Sequence, residues 1–158
     1  MPSSLVRKAA PVTAAGLACA LAFMAAPPAA AGPAAPRPAA PGPTVGVRVG
    51  VTGGAYTGSV GIVWTAARTV FGGFYCAANG TDPTPLTALV DAQEQYGLGG
   101  VRAYWDAAKK DFVVTDIHGD VADGKKKWNA YVNEKKITTG PCGTAIKDTD
   151  KVRWTLEA

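Results

Sequence analysis

"TPLTALVDAQEQYG", residues 84–97, is the one stretch of this chain with a helical pattern. Thr84 suits the N-cap, Pro85 the first helical turn and Gly97 the exit. Leu86, Leu89, Val90 and Tyr96 recur near a 3.6-residue spacing and predict an apolar face, with Asp91, Gln93, Glu94 and Gln95 turned mostly outward. A short amphipathic helix is held by what it covers rather than by its own propensity. The segments around it say that it covers a sheet.

Before the helix, "TVGVRVGV" (44–51) alternates cleanly and puts Val45, Val47, Val49 and Val51 on one face. "GSVGIVW" (58–64) reads as a second, glycine-weakened strand, and "FGGFYCAANGTDPTP" (71–85) as loop. After the helix come "VRAYW" (101–105), "DFVVTDIHG" (111–119), "KWNAYVN" (127–133) and "KVRWTLE" (151–157). In the third of these Trp128, Ala130 and Val132 share one side, and Asn129, Tyr131 and Asn133 the other. Two strands, one helix and three or four strands predict an α+β domain: a β-grasp-like mixed or antiparallel sheet of four to six strands, with one helix across a face. Leu86, Leu89, Val90, Trp128 and Trp154 are the expected structural core.

The first forty residues belong to a different category. "MPSSLVRKAAP" carries Arg7 and Lys8 and no acid, and "VTAAGLACALAFMAA" (12–26) is a short apolar run. Ala29-Ala30-Ala31 offers small residues for cleavage, so residues 1–31 read as a secretory signal cut after Ala31. A membrane anchor needs about 20 apolar residues, and Pro27-Pro28 interrupts the run too early. Cys19 would be the lipidated residue of a lipoprotein, but Gly16-Leu17-Ala18 before it lacks the usual large aliphatic residue. Residues 32–44, "GPAAPRPAAPGPT", form a Pro/Ala-rich spacer with nothing large to bury and are expected to be disordered. Residues 45–158 then make one secreted domain, expected to be monomeric. It holds all four Trp, all five Tyr and three of the four Phe.

The net charge of +4 falls by two when Arg7 and Lys8 leave, too small an excess to argue for nucleic acid. Lys109-Lys110, Lys125-Lys126-Lys127 and Lys135-Lys136 cluster locally. Such runs either steer an anionic partner or, more commonly, solvate hairpin tips and keep sheet edges apart. Loss of Cys19 leaves Cys76 and Cys142, most simply one disulfide in an exported domain. It would close a loop of about 66 residues and contribute on the order of 4 kcal/mol. A catalytic thiol and a metal pair are the competing uses, although a zinc site wants four ligands and His118 is the sole histidine.

Few residues suggest chemistry. His118 lies between Asp116 and Asp120, a grouping that would serve a small exported enzyme using His118 with Asp116 as a base. No nucleophile or oxyanion donor accompanies it, and a turn histidine is the plainer reading. Asp116, Asp120 and Asp123 lack the regular spacing and terminal Glu of a calcium loop. Asn79-Gly80-Thr81 matches a glycosylation sequon. "GTDPTP" (80–85) is the only candidate reactive loop for an exported protease inhibitor. Tyr104 and Tyr131 are the expected ligand or partner face, an aromatic shelf on the uncovered side of the sheet. The expectation is a non-enzymatic binding module with no catalytic residue, cofactor or metal of its own.

The C-terminal half resembles a secreted bacterial domain of unknown function related to the C-terminal β-domain of transcobalamin and intrinsic factor. "TPLTALVDAQEQYG" looks like that family's helix, "DFVVTDIHG" like its strand and Ile-x-Gly turn, "KWNAYVNEKK" like its Trp-x-x-x-Val-Asn-Gly hairpin, and "TAIKDTDKVRW" like its closing segment. The likeness runs through residues 45–158 in order. Glu134 stands where the family has the hairpin glycine, and Thr149 where a glycine precedes Asp150; both are turn positions. Cys76 and Cys142 match cysteines that some members carry. The resemblance implies binding of a small molecule or of an extracellular protein or cell-wall partner, with a cobalamin-like ligand as one possibility.

Overall fold

The computed structural model describes residues 41–158. The signal segment with its cut after Ala31, Cys19, and the spacer up to residue 40 lie outside the described residues. In chain order the elements are β1 (Val45–Thr52), β2 (Gly58–Thr65), β3 (Arg68–Thr69), β4 (Tyr75–Cys76), α1 (Pro85–Tyr96), β5 (Val101–Asp106), β6 (Asp111–Ile117), β7 (Asp120–Val121), β8 (Lys127–Val132), β9 (Lys135–Lys136) and β10 (Lys151–Glu157).

Five strands form a mixed sheet in the order β2-β1-β10-β8-β9. β1 and β2 are antiparallel, β10 runs parallel to β1 with Val49 beside Val152 and Val51 beside Trp154, and β8 returns antiparallel to β10. An α+β domain whose last strand, β10, enters between β1 and β8 is the β-grasp arrangement the element order predicts. The alternation of β1 is realised: its four odd-numbered valines are all buried. They share the inner face with Val152, Trp154 and Leu156 of β10 and with Trp128 and Ala130 of β8, all buried.

Helix α1 covers the β2–β1 end of that face. Its start is a capping box: Thr84 Oγ1 accepts from the Thr87 N–H at 3.2 Å, and Thr87 Oγ1 from the Thr84 N–H at 3.0 Å. Gly97 closes it in the left-handed conformation, φ 65°. Leu86 and Leu89 are fully buried as expected. The rest of the predicted apolar stripe needs correcting. Val90 is only half-buried, Tyr96 is 47% exposed, and Asp91 is buried at 6% exposure. Asp91 is inside because Arg68 of β3 reaches it, forming an ion pair with it while also donating to Glu94 at 2.7 and 2.9 Å. The guanidinium is held above its ordinary pKa, first by the bond to Glu94.

Two further differences concern strands. The stretch read as loop, 71–85, holds β4, which pairs with β3 just before it in a hairpin too short for a periodicity to register. The strands 101–117 do not join the main sheet; β5, β6 and β7 form a second, three-stranded sheet. Alternation reports which side of a strand is buried, not which edge it pairs with. Phe112, Val114 and Ile117 of β6 are buried in the core that they share with the inner face of the main sheet. Cys76, at the end of β4, is disulfide-bonded to Cys142.

Candidate functional site

His118 and Asp116 lie two residues apart but do not form a pair. His118 sits in the turn after β6 with φ 57°, its Nδ1 2.9 Å from the Leu98 carbonyl oxygen and its ring 4.5 Å from that of Tyr56. The Asp116 carboxylate is buried and occupied by Arg102, whose Nε donates at 2.9 Å, and by the Gly119 N–H at 2.8 Å. Asp120 accepts from the Ala55 and Tyr56 N–H groups, both at 2.9 Å, and these bonds draw its pKa below the usual carboxylate value. Asp123 caps the turn at Lys125 and Lys126. Each acid thus holds a turn, and no group of three metal-ligating side chains is assembled among the described residues. In "GTDPTP", Pro83, Thr84 and Pro85 are buried at the entry to α1, unlike a protruding reactive loop.

Tyr104 and Tyr131 are placed on different sheets, β5 and β8. Tyr104 is 53% exposed. Tyr131 is half-buried on the outer face of the main sheet, where its hydroxyl donates to Glu157 at 2.6 Å and the Arg153 guanidinium lies 4.9 Å from its ring centre. That face is polar: Asn129 and Lys136 also bond Glu157, and the Thr52 and Thr155 hydroxyls meet at 3.0 Å. Glu157 is drawn below its ordinary pKa, chiefly by Tyr131.

A cleft of about 580 Å³ lies between β6, β8 and the segment that follows β9. Its floor is Phe112, Val114, Trp128, Ala130 and Trp154, all buried. Four exposed lysines, Lys109, Lys110, Lys127 and Lys136, stand around it. One wall is the Gly140-Pro141-Cys142 corner, fixed by Asp111. The buried Asp111 carboxylate accepts from the Cys142 N–H at 3.0 and 3.2 Å and from the Gly143 N–H at 3.0 Å. Gly140 is required there, because a Cβ would fall 2.1 Å from Asp111 Oδ2. β9 pairs only with Tyr131 and Val132 of β8, so Lys127–Asn129 present an open strand edge to the cleft. Trp128 Nε1 donates to the Asp120 carbonyl at 2.9 Å, whereas the buried Trp154 Nε1 has no partner among the described residues.

Sequence reasoning placed Trp128 and Trp154 in the core but missed the cleft. Its lining comes from residues 109–114, 127–130, 136–141 and 143 together with Trp154, which no local periodicity relates to one another. The lysine runs were the available signal, and they were read as solvated tips.

No family model matches this chain, and no curated protein does. Among solved structures it is similar to haptocorrin, of the transcobalamin family, in a crystal structure described as a complex with Cbi. The TM-score is 0.51 at 15% identity, over 73% of this chain and 26% of that one. The likeness supports a related fold. The chain spans about a quarter of the length of that neighbour.

Proposed function

We propose that this protein is a secreted, monomeric, non-catalytic binding module whose ligand is a small molecule seated in the cleft between β6 and β8. The observation that carries this is the cleft itself: about 580 Å³, aromatic and aliphatic below and polar around the mouth. Small-molecule sites have this size and composition. The disulfide fits an oxidising compartment. The separate engagements of His118 and Asp116 favour binding over the enzyme reading. Haptocorrin's recorded complex with Cbi makes a cobalamin-like molecule one candidate ligand, and an extracellular protein or cell-wall component is the other class of partner.

The test is a native mass spectrum of the protein from its own culture medium, followed by thermal-shift titration with cobinamide. A mass adduct lost on denaturation, or a shift that a bulky Thr139→Trp change at the cleft abolishes, supports the reading. A bare chain whose melting temperature responds to neither cobinamide nor a metabolite panel counts against it. The denatured mass also tests cleavage after Ala31 and the two-hydrogen loss of one disulfide.

A further inference from the structure

The outer face of the main sheet, opposite the side on which Trp128 and Trp154 are buried, carries a second surface. The parallel register of β1 and β10 sets Arg48 directly beside Lys151 and Gly50 beside Arg153. Like charges side by side on one face destabilise a sheet. Arg153 reaches Glu134 at 3.1 Å, but Arg48 and Lys151 are exposed and have no ion pair among the described residues. The nearby acids are engaged elsewhere. Asp148 accepts from the Gly46 N–H at 2.8 Å, and Asp150 from the Lys147 N–H at 2.8 Å and the Asn133 amide at 2.7 Å. A trough of about 350 Å³ opens beside the cations, over Gly50 and Gly58, with Thr57 and Ser59 in its wall.

The same face holds an uncovered aromatic ring. In the β1–β2 register Ile62 lies beside Arg48 and Trp64 beside Gly46, and they are 51% and 60% exposed. Both lean over Gly46, where a Cβ would fall 3.1 Å from Ile62 Cγ2 and 3.2 Å from Trp64 Cζ3. Gln95 bonds the Trp64 N–H and carbonyl, so the indole stands on a fixed strand. From β2 to β10 is two strand spacings, about 10 Å.

We infer that this face docks an acidic polysaccharide: one sugar ring lies against the Trp64 indole, and a carboxylate on a following ring reaches Arg48 and Lys151. Binding then relieves the repulsion between the two cations with charge-assisted hydrogen bonds. The same cations oppose a second copy of this chain, which would bring them face to face. A protein partner wants a hydrophobic centre within a patch of about 800 Å², and beyond Ile62 and Trp64 this face is polar. Single-stranded nucleic acid wants successive stacking rings, whereas Tyr131, the other ring here, is half-buried with the Arg153 guanidinium against it.

The test is calorimetric titration of the purified protein with a galacturonate trimer, its neutral methyl ester, polyglutamate and an oligothymidylate, at low and high salt. The expected result is that the trimer binds about tenfold more tightly than its ester, that this advantage shrinks as salt rises, and that Arg48→Gln with Lys151→Gln abolishes it. Trp64→Ala should weaken trimer and ester alike by about tenfold, and Thr139→Trp in the cleft should change neither. Without ligand, the Arg48→Gln Lys151→Gln variant should melt in urea at or above the parent midpoint, because a like-charge pair is gone. A lower midpoint with unchanged affinity for the trimer would assign the cations to the fold and overturn the inference. So would a trimer that does not bind or binds no better than its ester, or tighter binding of polyglutamate or the oligothymidylate. Trimer binding abolished by Thr139→Trp would overturn it too, while leaving the cleft as a binding site.

Discussion

The side-chain amide of Gln95 bonds both backbone groups of Trp64: its Oε1 accepts from the N–H at 3.1 Å and its Nε2 donates to the carbonyl at 2.7 Å. One side chain of α1 thus does what a neighbouring strand would do at the edge of β2. Tyr96 continues the pattern by donating its hydroxyl to the Ile62 carbonyl at 2.7 Å. Tyr96 is therefore exposed because it is used at the edge rather than in the core. β2 otherwise resembles a hazardous edge, with Ile62 51% and Trp64 60% exposed.

Removing that cover with Gln95→Ala and Tyr96→Phe is expected to leave the fold within about 1–2 kcal/mol of wild type, since the bonds are exposed. It should make the protein self-associate at micromolar concentration, read by sedimentation velocity. A double variant that stays as monomeric as the parent would show that the α1 side chains do not guard the edge.

The disulfide closes a loop with a sequence separation of 66. Replacing Cys76 and Cys142 together with Ala is expected to cost about 3–4 kcal/mol, mainly by enlarging the unfolded ensemble. The urea midpoint should fall with little change in slope other than that from a more expanded unfolded chain. A loss under about 1 kcal/mol would mean that Asp111 already holds the Gly140–Gly143 corner unaided.

Asn133 and Glu134 both have positive φ, 49° and 68°, as the tight turn between β8 and β9 demands, and Thr149 has φ 70°. Glutamate and threonine are costly in that region, threonine more so for its branched Cβ. Glu134→Gly and Thr149→Gly are each expected to stabilise the protein by about 1 kcal/mol after the glycine's extra unfolded entropy is set against relief of strain. Glu134 gives up only its exposed contact with Arg153 at 3.1 Å, which is worth little. Matched urea melts decide the point; a lower midpoint in either variant would contradict it.

Glu94, Asp106, Asp120, Asp123 and Glu157 are all drawn below their ordinary pKa values by hydrogen bonds, from Arg68 to Glu94, from Tyr56 and Ala55 to Asp120, and from Tyr131 to Glu157 among them. Below about pH 4 the unfolded chain therefore binds more protons than the folded one, so stability rises with pH in that range and is lost as pH falls through the folded values. Urea midpoints should be level near neutrality and drop steadily below about pH 4. Asp120→Asn should shallow that drop, because its two N–H donors then have no carboxylate to lose. An unchanged acid limb would remove Asp120 from the account.

Much of this architecture was legible in the residues. The valines of β1, the caps Thr84 and Gly97, and the two late cysteines each act through local geometry or simple arithmetic, and each predicted its own place. Asp91 was misplaced because its burial depends on Arg68, which lies more than twenty positions earlier and belongs to a hairpin of two-residue strands. The aromatic shelf was expected from Tyr104 and Tyr131 because alternation identifies faces within a strand; it carries no information about which sheet the strand joins. The cleft was invisible for a related reason: Trp128 and Trp154 come together through the β8–β10 pairing, and Phe112 reaches them only because β6, of the second sheet, packs its buried side into the same core. Glu134 and Thr149, noted as departures from a glycine pattern, turned out to occupy the left-handed backbone that the glycines would have served.

The parallel contact between β1 and β10 also bears on the order of events during synthesis. Val47, Val49 and Val51 stay half-covered until residues 151–157 have left the ribosome, because β10 forms the middle of the sheet and not its border. Pairings of such long sequence separation close late and slowly. A chain interrupted before Lys151 would therefore not be a shortened version of this domain but a β1–β2 hairpin and a helix with an unfilled gap between them and β8.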